Sequence, residues 1–303
     1  MDGILNIYKE KGFTSHDVVA IVRRTLHQKK VGHTGTLDPD AEGVLPVCVG
    51  KGTKLADYIM AEQKEYRAVL ALGVTTTTED ASGEVLETKE VEFDEEKITE
   101  AVLSFVGDYM QTPPMYSAIK IQGKKLYELA REGKEVHREP RKIQIHDIKI
   151  RKFMPPDCVE FDVTCSKGTY IRTLCTDIGK KLGCGGHMAS LLRTASGVFQ
   201  LENAIKLEEL KALAEENRVE EVLIPIEKIL GTYNKVNVVE EATKMLYNGC
   251  KIYSNFFAKT ERPLTLGEKV LGYDYENTFI GIYEVMQEQE KDRLYIKPLK
   301  ILR

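Results

Sequence analysis

The sequence predicts an α+β protein: a body of mixed strands and amphipathic helices, followed by a small all-β module. Three observations carry this. Segments 64–72 and 158–165 alternate apolar and polar residues with the period-2 rhythm of half-buried strands. Segments 15–26, 94–105 and 171–182 repeat apolar residues every three or four positions, the rhythm of helices with one buried face. Past about residue 233 the chain becomes a series of short β-like runs divided by glycines and charges.

The elements follow in order. "DGILNIYKEKG" reads as a first strand, and Thr14 or Ser15 caps a helix whose apolar face is Val18, Val19, Val22 and Leu26. "EYRAVLALG" is a strand with Tyr66, Ala68, Leu70 and Leu72 on one face. Asp94 caps a helix through Ile98, Ala101, Val102 and Phe105. "QTPPMYSAIKIQGKK" is a proline-broken loop leading to a short helix that ends near Gly133. "CVEFDVTC" turns Val159, Phe161, Val163 and Cys165 inward, and after Lys167-Gly168 a helix carries Ile171, Leu174, Ile178 and Leu182. "KLEELKALAEEN" is a further helix. The β module then comprises "YNKVNVV", "CKIYSN", "EKVLGYD", "TFIGIYEVM" and "RLYIKPLKIL". The expected division is residues 1–232 and 233–303.

Bulk properties exclude several classes. With 42% hydrophobic and 30% charged residues among 303, the composition is that of an ordinary soluble protein. The start "MDGILNIYKEKG" lacks the basic and apolar regions of a signal peptide, and the longest apolar stretch, near "AVLALGV", is far too short to span a membrane. Cys48, Cys158, Cys165, Cys175, Cys184 and Cys250 form no C-x-x-C pair, so they are expected as buried or half-buried free thiols in a reducing cytoplasm. His16, His27, His33, His137, His146 and His187 show no zinc-ligand spacing, so no metal is expected. "VGKGTK" lacks P-loop spacing, no G-x-S-x-G elbow occurs, and Asp38 and Asp40 are too close along the chain to be assumed a glycosidase pair.

Charge is uneven beneath the net −4. Residues 84–100 hold eight acids against Lys89 and Lys97. Residues 119–142 hold eight bases, among them Lys124 and Lys125, against four acids. Such a basic run is commonly a solvated face, but it suffices for phosphate contacts.

The stretch "GHTGTLDPDAEGVLPVCVG" places Asp38 on a tight turn beside His33. An isolated Asp-Pro step is ordinary turn chemistry. Here it is one of four ordered segments: "GHTGTLDPDAEGVLPVCVGKGTK", "KEYRAVLALG", "PPMYSAIKIQGKKLYELAR" and "SKGTYIRTLCTDIG". Together these resemble the signature segments of the TruB-type tRNA pseudouridine-55 synthases. "KEKGFTSHDVV" and "GGHMASLLRTASGVF" extend the resemblance over roughly residues 1–230. The C-terminal module more loosely resembles the PUA-like domain of these enzymes.

The resemblance implies a pseudouridine-synthase fold, with a mixed, largely antiparallel central sheet flanked by helices. It implies conversion of uridine 55 in the tRNA T loop to pseudouridine, without metal or cofactor. Asp38 would be the nucleophile, and Arg172 would pair with it and keep it ionised in a water-poor pocket. Tyr66 would stack on the flipped base and serve as candidate general base, Tyr170 would line the pocket, and Leu191 would hold the base. His33 would pack where the base has left the RNA. Gly32 and Gly35 would let the backbone approach the RNA while the turn aims Asp38. The insertion at about 110–142 would close over the RNA loop like a thumb, with Lys124 and Lys125 on phosphates, Pro113 and Pro114 stiffening its base, and Gly123 letting it bend. The partner implied is the tRNA T arm, bound by a cytoplasmic monomer with no obligatory protein partner. Two other readings stay open: a non-catalytic RNA-binding or RNA-folding protein, and the catalytic subunit of a guide-RNA pseudouridylation particle.

Overall fold

The computed structural model describes residues 1–121, 123–288 and 292–302. The first strand, β1 (Gly3–Lys9), leads to α1 (Ser15–Thr25). Thr14 caps that helix reciprocally: its hydroxyl accepts from the Asp17 N–H, and the Asp17 carboxylate accepts from the Thr14 N–H. Then come β2 (Val31–His33), β3 (Glu42–Val49), α2 (Ala56–Met60), β4 (Lys64–Leu72) and a hairpin of β5 (Val74–Thr76) and β6 (Val85–Thr88). Asp94 caps α3 (Glu95–Leu103), which leads into β7 (Gly107–Gln111). The proline-broken insertion contains a short hairpin, β8 (Lys120–Ile121) and β9 (Lys124–Lys125), and α4 (Leu126–Arg131). The body continues through β10 (Arg141–Met154), β11 (Cys158–Cys165), α5 (Ile171–Lys181), β12 (Gly186–Ser196), β13 (Phe199–Gln200), α6 (Leu207–Glu215), β14 (Leu223–Ile224) and α7 (Ile226–Ile229).

Ten of these strands form one sheet, in the order β14-β1-β3-β12-β4-β11-β10-β7, with β13 on β12 and β2 on β3. All its pairs are antiparallel except β3–β12, whose register joins Glu42 to Leu192 and Gly43 to Arg193. The expected mixed, largely antiparallel sheet is therefore observed. Alternation places Tyr66, Ala68, Leu70 and Leu72 of β4 on the same buried side as Val159, Phe161, Val163 and Cys165 of β11. Ile171, Leu174 and Ile178 of α5 cover that side. Full burial of each such side chain stabilises the fold by roughly 1.5–3 kcal/mol. On the same face, toward the other end of the sheet, Val18, Val19 and Val22 of α1 and Leu207 and Leu210 of α6 pack on β1 and β3.

The remaining strands are β15 (Asn234–Val238), β16 (Ile252–Tyr253), β17 (Phe257–Thr260), β18 (Lys269–Tyr273), β19 (Phe279–Glu288) and β20 (Arg293–Ile301). They form a six-stranded sheet, with α8 (Thr243–Tyr247) placed between the first two. The helix and β17 go beyond the sequence reading. The second sheet is not merely tethered. Leu271, Tyr273, Ile282 and Leu302 share a buried cluster with Ile4, Val44, Leu55, Ile59 and Phe199 of the body.

One expectation is corrected. Five cysteines are buried or half-buried free thiols, but Cys250 is exposed. It follows Gly249, whose φ of +66° ends α8 and turns the chain outward before β16. No helix among the described residues is long and apolar enough to cross a membrane.

Candidate active site

The loop between β2 and β3 carries Asp38, and the sequence around it explains its shape. Asp38 accepts at its carbonyl from the Ala41 N–H at 3.1 Å, closing a turn with Pro39 at its second position. Ser15 clamps the loop by accepting from the Leu37 N–H at 2.9 Å and donating to the Leu37 carbonyl at 3.1 Å. The ammonium of Lys9, on a residue with no exposed surface, donates to the Pro39 carbonyl at 3.0 Å. Burial lowers the Lys9 pKa to about 8, so the anchor still carries charge over the neutral range. Gly35 has φ +125°, a conformation that excludes other residues without strain. Gly32 has ordinary φ and open space around its Cα, so nothing within the protein demands glycine there.

Arg172 sits in the first turn of α5 with only 6% of its side chain exposed, and it is the hub of the site. Its Nε lies 3.0 Å from Asp38 Oδ2. One terminal nitrogen donates to the Thr78 carbonyl at 3.0 Å and lies 3.5 Å from Asp80 Oδ2, while the other donates to the Tyr116 carbonyl at 2.8 Å. Three chain segments thus converge on one guanidinium. Burial pushes the Asp38 carboxyl above its ordinary pKa; Arg172 opposes this most strongly, while Asp80 adds to the rise. The Asp38 side chain nevertheless keeps 38% of its surface open. An arginine-paired carboxylate open on one side is suited to nucleophilic attack on a molecule that closes over it.

Tyr66, 9% exposed, projects from β4 toward the same space and lies opposite Arg193 in the β4–β12 register. Burial raises the Tyr66 pKa, and Arg193, as charge and hydrogen-bond partner, opposes it. The Arg193 side chain is fully buried, with Nε donating to the Val44 carbonyl at 2.6 Å and a terminal nitrogen to the Gly35 carbonyl at 3.4 Å. Leu191 lies two residues earlier on the same face, 9% exposed. Tyr170, the residue before α5, is gripped by Gln111. The Tyr170 N–H donates to Gln111 Oε1 at 2.8 Å, and Gln111 Nε2 donates to the Tyr170 carbonyl at 2.9 Å.

The remaining sequence candidates are placed differently. His33 stands edge-on to His16, with ring centroids 5.3 Å apart, and burial lowers its pKa, which favours the neutral ring. Lys124 and Lys125 lie on the insertion's hairpin, where Lys124 reaches Glu132 at 3.4 Å and Lys125 reaches the Tyr127 hydroxyl at 3.2 Å. Gly123 adopts φ +86° at the hairpin tip, next to Gln122, which is outside the described residues. Among the described residues, no three His, Cys, Asp or Glu side chains gather as metal ligands.

The sequence reading missed Asp80, Gln111 and Arg193. Asp80 lies in the polar run "TTTTEDASG", where its Oδ1 accepts from the Thr78 and Ser82 hydroxyls, each at 2.6 Å. Arg193 had a legible signal: it occupies the inward phase of "LLRTA", between Leu191 and Ala195. A charge on the buried side of a strand needs a reason.

Comparison with known proteins gives the family. Residues 23–171 match the model of the TruB family pseudouridylate synthase N-terminal domain, and residues 172–231 match that of the tRNA pseudouridylate synthase B C-terminal domain. A tRNA pseudouridine synthase B of Alkaliphilus oremlandii is 51% identical over 302 residues, covering 100% of this chain and 99% of that protein. One of Clostridium perfringens (strain SM101) is 48% identical, covering 93% and 94%. A chain in the crystal structure of a Cbf5-Nop10-Gar1 complex superimposes with TM-score 0.76 at 28% identity, covering 99% of this chain and 85% of that one. Agreement of both family models, and of a relative along its whole length, establishes that the chain belongs to the TruB family of pseudouridylate synthases.

Proposed function

We propose that this protein is a tRNA pseudouridine synthase that isomerises uridine 55 of the T loop. The N1–C1′ bond of the uridine breaks, the base turns, and C5 bonds to C1′; a proton leaves C5 and one is gained at N1. No oxidation occurs and no energy source is consumed, so a carboxylate nucleophile and a proton acceptor suffice. The observation that carries the reading is the Asp38–Arg172 pair, held at 3.0 Å and open toward solvent on one side. Asp38 attacks the flipped nucleoside, and Arg172 keeps it ionised and aimed. Tyr66 stacks on the base and accepts the C5 proton, Leu191 and Tyr170 wall the pocket, and His33 fills the space the base vacates.

Residues 1–232 act in this reading as the catalytic body, with the insertion at about 110–142 closing over the RNA loop and Lys124 and Lys125 meeting its phosphates. Residues 233–303 form a small PUA-like RNA-binding unit. The protein works in the cytoplasm as a monomer on the tRNA T arm. Incubation of the purified protein alone with an unmodified tRNA transcript tests this. Pseudouridine is expected at position 55, and Asp38→Asn should abolish it while leaving tRNA binding nearly intact. No product from the wild-type protein, or turnover within tenfold of it by the variant, would overturn the assignment.

A further inference from the structure

The cations of the insertion are largely engaged within it. Lys124 and Lys134 both reach Glu132, at 3.4 and 2.7 Å, Arg138 reaches Glu135 at 3.5 Å, and His137 reaches Glu139 at 2.9 Å. A different surface carries cations without such partners. Residues 18–37 contain no acid, nor do residues 43–56. The β2–β3 pairing lays these two windows side by side, and the Gly50 N–H donates to the Lys30 carbonyl at 2.8 Å. Lys29, Lys30 and Lys51 therefore lie close together at the end of this pairing, and Arg23, donating to the Val31 carbonyl at 3.2 Å, brings the end of α1 with Arg24 alongside β2.

All four side chains are exposed, and none has an ion pair among the described residues. Asp2 lies against Lys51, and its carboxylate is engaged by the Lys51 backbone N–H at 2.7 Å. Arg23 and Arg24 have a structural role as well, since they lie in the last turn of α1, where cations complement the helix dipole. Lys29, Lys30 and Lys51 lie outside that turn and have no such role. Like charges gathered within a Debye length, about 8–10 Å, create a positive field that an anion relieves.

Two further observations say which anion. Lys30 directly precedes β2, so at about 3.3 Å per residue it stands roughly 10 Å from His33, at the head of the loop carrying Asp38. The two acid-free windows also contain no tyrosine or phenylalanine, and the chain has no tryptophan, so this face offers no platform for unpaired bases. Lysines contact phosphate as point charges, with no requirement for base identity. We infer that Arg24, Lys29, Lys30 and Lys51 hold the phosphate backbone of the double-helical stem next to the loop whose uridine enters the Asp38 pocket. This rests on the proposed action on tRNA. It makes affinity depend on the stem's backbone, and it gives the RNA a second support besides the insertion.

The test compares Lys29→Ala/Lys30→Ala/Lys51→Ala with a control, Lys89→Ala/Lys97→Ala/Lys152→Ala, that changes net charge equally at other places. tRNA binding is measured from roughly 50 to 300 mM salt, each phosphate contact contributing about 0.7–0.9 to the slope of log affinity against log salt. The first variant should lose about 2–3 from that slope and bind roughly 10²-fold more weakly near 0.1 M salt, while the control keeps the wild-type slope. Charge reversal by Lys30→Glu should lower affinity further than Lys30→Ala, an independent reading should the triple variant fold poorly. A wild-type slope in the triple variant, or an equal loss in the control, overturns the inference. Wild-type protein that makes no pseudouridine instead refutes the underlying function, so the two failures are distinguishable.

Discussion

Replacing Arg172 with lysine keeps the charge and removes the fork. The guanidinium meets Asp38, the Thr78 carbonyl and the Tyr116 carbonyl at 3.0, 3.0 and 2.8 Å through three different nitrogens. A lysine ammonium has three donors but gathers them on one nitrogen, so it cannot span three acceptors spread around the guanidinium plane, and the loss of two of these contacts is taken as the upper case. Two hydrogen bonds from a charged donor are worth about 1.5–3 kcal/mol each, an upper total of roughly 3–6 kcal/mol. Water can reach the Asp38 side, where 38% of that side chain is open, so about 3–4 kcal/mol is the better expectation. Expressed in the rate, this is roughly a 10²–10³-fold loss.

The assay is single-turnover release of tritium from tRNA labelled at uridine C5, because forming the C5–C1′ bond expels that hydrogen. A second arm concerns pH. Burial already raises the Asp38 pKa, and Arg172 is the strongest opposing influence, so Arg172→Lys should move the acid limb of the rate profile to still higher pH. The stability sign follows. A carboxyl whose folded-state pKa is raised disfavours the fold once it ionises, so its favourable contribution exists at low pH and is lost as pH rises through the folded pKa. The melting deficit of the variant should accordingly shrink on acidification. A rate within tenfold of wild type together with an unmoved acid limb would refute the role of Arg172.

Three other outcomes are expected. Tyr66→Phe should bind tRNA normally and turn over about 10²–10⁴-fold more slowly if the hydroxyl moves a proton, whereas Tyr66→Leu should also lose the roughly 1–3 kcal/mol of base stacking; a wild-type rate for Phe leaves Tyr66 as a platform only. Lys124→Ala/Lys125→Ala should flatten the salt dependence of tRNA binding without changing which uridine is modified, and an unchanged slope would make the hairpin a solvated face. Gly43→Ala should destabilise the fold by more than about 2 kcal/mol, read as a lower urea midpoint. Gly43 has φ +104°, and an added Cβ would stand 2.2 Å from the Arg193 carbonyl oxygen; an unaltered midpoint would contradict that packing.

Much of this molecule is determined locally and could be read from the chain. Strands β4 and β11 and helices α1, α3 and α5 follow from the period of their apolar residues and from caps such as Thr14 and Asp94, because those preferences are set within a few residues. The Asp38 turn is legible for the same reason: Asp-Pro chemistry acts over four residues. The outward turn of Cys250 depended on how α8 ends, and α8 was too short to leave a period in the sequence. Thr78, Gln111 and Tyr116 meet the site from positions 94, 59 and 56 residues away from their partners on and beside α5, and Asp80 comes with Thr78. Such contacts are made by the order of strands in the sheet, and a linear pattern holds no trace of that order. Charge divides in the same way: sequence counts eight bases in the insertion, but only the folded chain shows which cations already have a carboxylate and which stand unpaired beside β2. Composition is additive along a chain, whereas pairing is a property of distance.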